Sequence, residues 1–379
     1  MAKLGEVCKV SPSTKNIERQ GAWLLNLDMV EQQTGRVIEY KYVGEDDLNG
    51  SIIQFDTENV LYSKLRPNLN KVVLPPKDGF STSELLPLRP DASVLNKDYL
   101  AAFLRSDSFV TWAVSKTAGA KMPRLGTKDL MNAEIPVPSI EQQKKIAEKF
   151  KKLEQLISLR KQQLAKLDGL VKARFVEMFG EPVQNPNCWK TENLLDLGYC
   201  KNGMNFHRDD CGTEIHCLGV GDFKNHSTIR DVGSLPFISL NELPTSEYLL
   251  QDGDIVFVRS NGNKELVGRC LAIYPAKIPV TYSGFCIRYR LTSNKITVSY
   301  LLRVLKADSV RKKMTGRGAN IQNLNQQILA QLVVPIPPLS LQNQFAAFVE
   351  RVDQQKQTVQ QGLEKLELMK KALMQEYFG

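Results

Sequence analysis

The sequence predicts an α+β chain in which two similar, mostly-β globular domains are separated by two long antiparallel coiled-coil helices. Three observations predict it: a second copy of the chain displaced by 199 residues, a long proline-free heptad stripe at the end of each copy, and short β-branched runs before each stripe. The 379 residues, 42% of them hydrophobic, are too many for one comfortable core, so two globular units are expected.

The repeat is clearest at the stripes. Ile135-Pro136-Val137-Pro138 recurs as Val334-Pro335-Ile336-Pro337, and the register then runs without a gap to Phe179-Gly180 against Phe378-Gly379. Gln143, Ala147, Gln162, Leu164, Leu167, Lys172, Ala173 and Glu177 reappear as Gln342, Ala346, Gln361, Leu363, Leu366, Lys371, Ala372 and Glu376. Upstream the match loosens and the offset drifts. The plan is therefore variable block, similar helix, variable block, similar helix, a tandem duplication that predicts a pseudo-twofold molecule.

Within the blocks, Asn59 to Leu65, Gly253 to Val258 and Ile287 to Leu291 read as strands between Gly, Pro and Asn breaks. A helix is expected from Asn96 to Ser115, where Tyr99, Leu100, Phe103, Leu104 and Trp112 fall at helical spacing, and a counterpart through Tyr300, Leu301, Val304 and Leu305. Each Pro-x-Pro then stops the chain in an extended state.

Beyond each stop lies a coiled-coil seam. Ile146, Phe150, Leu153, Ile157, Leu164, Leu167 and Val171 form the first, with Arg160 interrupting; Phe345, Val349, Val352, Val359, Leu363 and Leu366 form the second, where Lys356 takes the position matching Ile157. Two such helices bury their stripes on one another, which predicts an antiparallel pair with a block at each end, a dumbbell. Expected boundaries are 1–140 for the first domain, 141–180 for the first helix, 181–333 for the second domain and 334–379 for the second helix, with Glu181 to Asn187 as the linker.

Composition narrows the function. No apolar stretch approaches the ~18 residues of a membrane span, and MAKLGEVCKV shows neither the apolar segment nor the cleavage site of a signal peptide, so a cytoplasmic, membrane-free protein is expected. Seven cysteines never fall in a CxxC pattern, which argues for reduced thiols. His207, His216 and His226 crowd one block with Cys200, Cys211 and Cys217, but in no familiar ligand spacing, and no metal is expected. No stretch reads GxxxxGK[ST], and no Asn/Asp-Pro-Pro-aromatic motif occurs, which argues against an ATPase and against methyl transfer by this chain. What remains is a non-catalytic binding protein.

The two Pro-x-Pro boundaries, Gln143 and Gln342 behind them, and the helices closing on Met178-Phe179-Gly180 and Tyr377-Phe378-Gly379 resemble the specificity (S) subunits of type I restriction-modification enzymes across the whole chain. That resemblance implies that the variable blocks are target-recognition domains on double-stranded DNA, each reading one half of an asymmetric bipartite site, and that the helices set the gap. It further implies two methyltransferase (M) subunits and two restriction (R) subunits as partners. No cofactor is implied in this chain; S-adenosylmethionine is expected in the methyltransferase partner, and ATP and Mg in the restriction partner. The rival reading is a two-domain coiled-coil scaffold that binds proteins without DNA specificity.

The net charge of +9 is compatible with DNA, yet residues 1 to 140 carry equal numbers of basic and acidic groups, so the first domain needs a local patch. Cations, amides and an aromatic ring suited to phosphate and base-edge contacts gather in Tyr62, Ser63, Lys64, Arg66, Asn68 and Lys71, and in Arg259, Asn261, Lys264 and Arg269 of the second block. Glycine-rich segments near each helix boundary add Lys121 and Arg124, and Arg317, Asn320 and Gln322.

Overall fold

The computed structural model describes residues 1–48, 51–119, 121–206, 209–223, 227–315 and 323–379. The chain divides into two compact units, Met1–Gln162 with Val359–Gly379, and Gln163–Thr358. Each unit owns one β-rich block and part of each long helix.

In the first unit one four-stranded sheet runs Cys8–Val10, Leu85–Pro90, Val60–Ser63, Val72–Val73 and another runs Lys41–Val43, Ala22–Leu25, Gly79–Thr82, Ile52–Phe55. Val60–Ser63 is buried on both faces, which is why it reads as a continuous apolar run instead of an alternation. The second unit repeats the plan with a five-stranded sheet (Gly198–Asn202, Cys286–Leu291, Asp254–Val258, Cys270–Ile273, Thr228–Ile229) and a three-stranded one (Phe237–Leu240, Thr213–Leu218, Val280–Tyr282). Each block is closed by an antiparallel pair joining its first and last segments, Ala2–Lys3 with Glu134–Ile135 and Thr191–Asn193 with Val333–Pro335.

The expected helix from Asn96 to Ser115 is two helices, Lys97–Leu104 and Asp107–Ser115. Apolar spacing continues across the break, but Ser106 turns extended and its hydroxyl accepts the Phe109 amide, an N-cap that starts a new helix. Its counterpart breaks likewise, into Val298–Lys306 and Asp308–Thr315.

The long helices span Ile140–Phe179 and Leu339–Phe378, 40 residues each, or about 60 Å at ~1.5 Å per residue. Ser139 and Gln142 start the first as a reciprocal capping box. Gly180, at φ +71°, ends it in the left-handed region, and Pro186 packs where a Cβ would stand. The second begins at Leu339, later than the 334 expected, because Val333–Pro335 belongs to a sheet and Pro337 and Pro338 follow without donors.

In each unit the helix halves run antiparallel: Lys149, Glu154 and Lys161 meet Tyr377, Lys370 and Glu367 in the first, and Asp168 and Phe175 meet Lys356 and Phe345 in the second. Phe150, Leu153, Phe345, Val352, Val359 and Leu363 are buried in the seam; Ile146, Ile157, Leu164, Leu167, Val171, Val349 and Leu366 are half-buried. Lys356 answers its apolar neighbourhood with an ion pair to Asp168 at 2.7 Å. Aromatic rings tie the seam to the blocks. Phe378 stacks on Phe150 and packs on Tyr99 in the first unit, and Phe179 packs on Tyr300 and Phe345 in the second.

Candidate nucleic-acid interface

In the first unit, strand Val60–Ser63 releases the chain into a turn whose ends, Arg66 and Asn70, both sit at φ +50° around Pro67–Leu69. Asn tolerates that conformation; Arg66 is held there by its neighbours. Leu65 bridges Arg124 antiparallel, the Arg66 amide donates to Pro123 O at 2.8 Å, and the Leu125 amide donates to Lys64 O at 2.9 Å. Two segments that are far apart in the chain thus form one ledge. Arg66, Asn68, Lys121 and Arg124 are exposed on it and Lys64 is half-buried. Arg124 is engaged by Glu84 at 3.2 Å.

The second unit repeats the arrangement. Ser260 bridges Asn323 antiparallel and the Leu324 amide donates to Arg259 O at 2.8 Å, so the loop after Asp254–Val258 lies beside Asn323 and Leu324. Asn261 and Asn263 shape the loop by accepting the Asn263 and Glu265 amides, successive Asx turns that leave Lys264 exposed. Arg317, Asn320 and Gln322 lie outside the described residues.

Of the expected contacts, two are buried and two are half-buried and bonded to backbone carbonyls. Tyr62 and Ser63 are buried, Tyr62 edge-on to Phe109, because the strand is covered on both faces; burial pushes the Tyr62 phenol up, and neither side chain meets a surface ligand. Lys71 donates to the Leu27 carbonyl, and desolvation lowers its pKa despite Asp28 nearby. Arg269 donates to the Glu265 carbonyl and lines a cavity behind the loop.

Sequence reasoning missed Phe285. Its carbonyl accepts the Arg259 amide at 2.7 Å, while its ring is 61% exposed at the edge of the same loop. Glu84 fills the corresponding place in the first unit, where its carbonyl accepts the Lys64 amide. The signal was there: Ser283-Gly284-Phe285 is a turn before Cys286–Leu291, and a large apolar residue at a turn tip has no core to enter.

His216 Nδ1 bonds the Leu235 carbonyl at 2.8 Å and Cys217 is a core residue, whereas His207 and His226 lie outside the described residues. Among the described residues no three His, Cys, Asp or Glu side chains gather as a metal site. No helix among them is long and apolar enough to cross a membrane.

Comparison with known proteins meets the same duplication. The model for the type I restriction modification DNA specificity domain matches residues 1–168 and again 214–368. The chain is 30% identical over 288 residues to the StySPI specificity subunit of Salmonella potsdam, covering 70% of this chain and 60% of that protein. It is 24% identical over 318 residues to the MjaVIII specificity subunit of Methanocaldococcus jannaschii, covering 79% of this chain and 73% of that one. The matched region thus spans only part of these relatives. A type I restriction-modification S subunit from M. genitalium shares the fold at TM-score 0.59 and 15% identity, over 100% of this chain and 95% of its own. On the doubled match to the family model, the chain belongs to the type I restriction modification DNA specificity domain family.

Proposed function

We propose that this chain reads DNA as the specificity subunit of a type I restriction-modification complex. Each β-rich domain reads one half of an asymmetric bipartite site, and the long helices fix the unspecified gap. In this reading the chain is not itself catalytic. It recruits two methyltransferase subunits, which bring S-adenosylmethionine, and two restriction subunits, which bring ATP and Mg.

The observation that carries the proposal is the repeated ledge. In both units a cationic, amide-bearing loop follows a buried central strand and is bridged to a second segment, Leu65 to Arg124 and Ser260 to Asn323. The backbone scaffold is the same, while the side chains differ: exposed Arg66, Asn68 and Lys121 on one, half-buried Arg259 and Asn261 with exposed Lys264 and Phe285 on the other. One frame with two sets of side chains suits two unlike half-sites, since phosphate contacts position a reader and base-edge contacts specify.

Selection from a randomised duplex library, with the chain bound to its methyltransferase partner, tests this. The expected product is two short motifs at fixed spacing, and Arg66→Ala alters or weakens one of them alone. A pool without a motif would return the protein-binding scaffold reading.

A further inference from the structure

Helix Val298–Lys306 places Arg303 and Lys306 three residues apart, hence on one face, and that face looks into a cavity of about 440 Å³. Lys172, Arg269, Arg311 and Lys356 share its wall. The carboxylate in that wall, Asp168, is already taken by Lys356 at 2.7 Å. Arg269 and Arg311 each donate to the Glu265 carbonyl, and Lys172 pairs with Asp308. Lys306 donates to Ser227 Oγ at 2.8 Å, and neither it nor Arg303 forms an ion pair among the described residues. Burial lowers the pKa of both.

The first unit handles the equivalent position differently. Arg105 stands where the repeat puts Lys306, and Glu154 answers it at 3.3 Å while also taking Lys370 at 2.9 Å. The repeat partner of Glu154 is Asp353, which forms no ion pair with Lys306, and that of Lys370 is the apolar Val171. One unit thus pairs its buried cation directly; in the other Asp168 and Asp353 act on Lys306, and Asp168 and Asp308 on Arg303, without an ion pair, and six cations share the wall of the recess with one carboxylate, an excess that a bound anion would offset. A second cavity of about 390 Å³ shares Ser227, Arg303 and Lys306 and continues along Leu302, Phe345 and Tyr274, with Arg230 over the Tyr274 ring at 4.4 Å; Asp168, Glu350 and Asp353 also line it, so it is the recess on the Lys172 and Arg311 side that carries the excess of positive charge.

We propose that this recess binds a small phosphate-bearing anion, its phosphate between Arg303 and Lys306 and the body of any ester in the adjoining, partly apolar cavity. Guanidinium and ammonium groups converging in a half-desolvated pocket are the chemistry of phosphate capture. The recess is too small to admit a duplex.

The test is calorimetric titration of the full chain with sodium phosphate and, separately, ADP, at ionic strength held constant with NaCl. Saturable binding is expected, weakened at least tenfold by Lys306→Met and by Arg303→Leu and unchanged by Lys365→Met, an exposed helix cation. Tighter binding of ADP assigns the ligand as a phosphate ester; equal affinity assigns it as free phosphate. Lys306→Met is also expected to raise the ligand-free Tm, because it removes a desolvated charge, whereas a merely structural cation would lower it. Should that variant fail to fold, Arg303→Leu carries the test. No binding at constant ionic strength, or binding indifferent to both variants, overturns the proposal. So does a loss confined to duplex DNA, which would make the cations a backbone contact.

Discussion

Gln342, four residues into the second long helix, accepts the backbone amide of Thr297 at 2.8 Å and so holds the N-cap residue of a helix in the neighbouring β-rich block. Its amide donates to Lys295 O and Pro337 O. Gln143 repeats the clamp on Asn96, Val94 O and Pro138 O. Both glutamines are fully buried, and nearby Tyr99 and Tyr300 make the same bond to Pro136 O and Pro335 O. The Pro-x-Pro stop is therefore a joint, in which proline removes donors while the glutamine and tyrosine occupy the carbonyls.

Gln143→Leu and Gln342→Leu are each expected to lower stability by about 2–4 kcal/mol, since each leaves a buried amide and two carbonyls without partners. Urea denaturation measures it. The two costs should be alike, because the bonds are; a cost at one site alone would deny the equivalence of the joints.

The sequence made these joints visible as repeated letters without saying what they do. Heptad stripes, proline stops and β-branched runs are local, so the long helices and main strands were legible. Pairings between distant residues were not: nothing local announces that Leu65 meets Arg124. Tyr62 was misread because a strand covered on both faces loses the alternation that marks exposure. The split at Ser106 was hidden by apolar spacing that carries on through it.

A duplicated ion pair also escaped notice. Asp56 meets Arg89 at 2.6 Å, and Asp254 meets Arg290 at 2.7 Å. For Asp56 desolvation opposes ionisation, but Arg89, the Ser13 hydroxyl and the Glu58 amide outweigh it and hold the carboxyl below its ordinary value. A lowered folded-state pKa contributes stability that is present above the unfolded value of about 3.9 and is lost as pH falls through the folded one. The stability difference between wild type and Asp56→Asn should therefore shrink as pH drops below about 4. Parallel pH profiles in thermal melts would contradict it.

Phe378→Ala removes a ring that packs on Tyr99, Phe103 and Phe150, and should cost about 3–5 kcal/mol. Calorimetry of the full chain should show the loss, and Phe179→Ala should match it through Tyr300 and Phe345.

For the ledges proposed to meet DNA, salt dependence distinguishes a phosphate contact from an aromatic one. Arg66→Ala should weaken duplex binding and reduce the slope of log K against log salt by about 1. Phe285→Ala should weaken it by roughly tenfold with the slope unchanged, because an inserted or stacked ring releases no counterions. Fluorescence anisotropy at several salt concentrations reads both. A Phe285→Ala variant with wild-type affinity would remove the ring from the interface.

The most direct test of the central claim is modified-base sequencing of the host genome with and without this gene. Loss of methylated adenine at a single asymmetric motif, two specified halves around a fixed gap, is the result expected of a chain that reads one half-site with each ledge. Methylation unchanged by the deletion, in a host whose methyltransferase partner is demonstrably active, would contradict it.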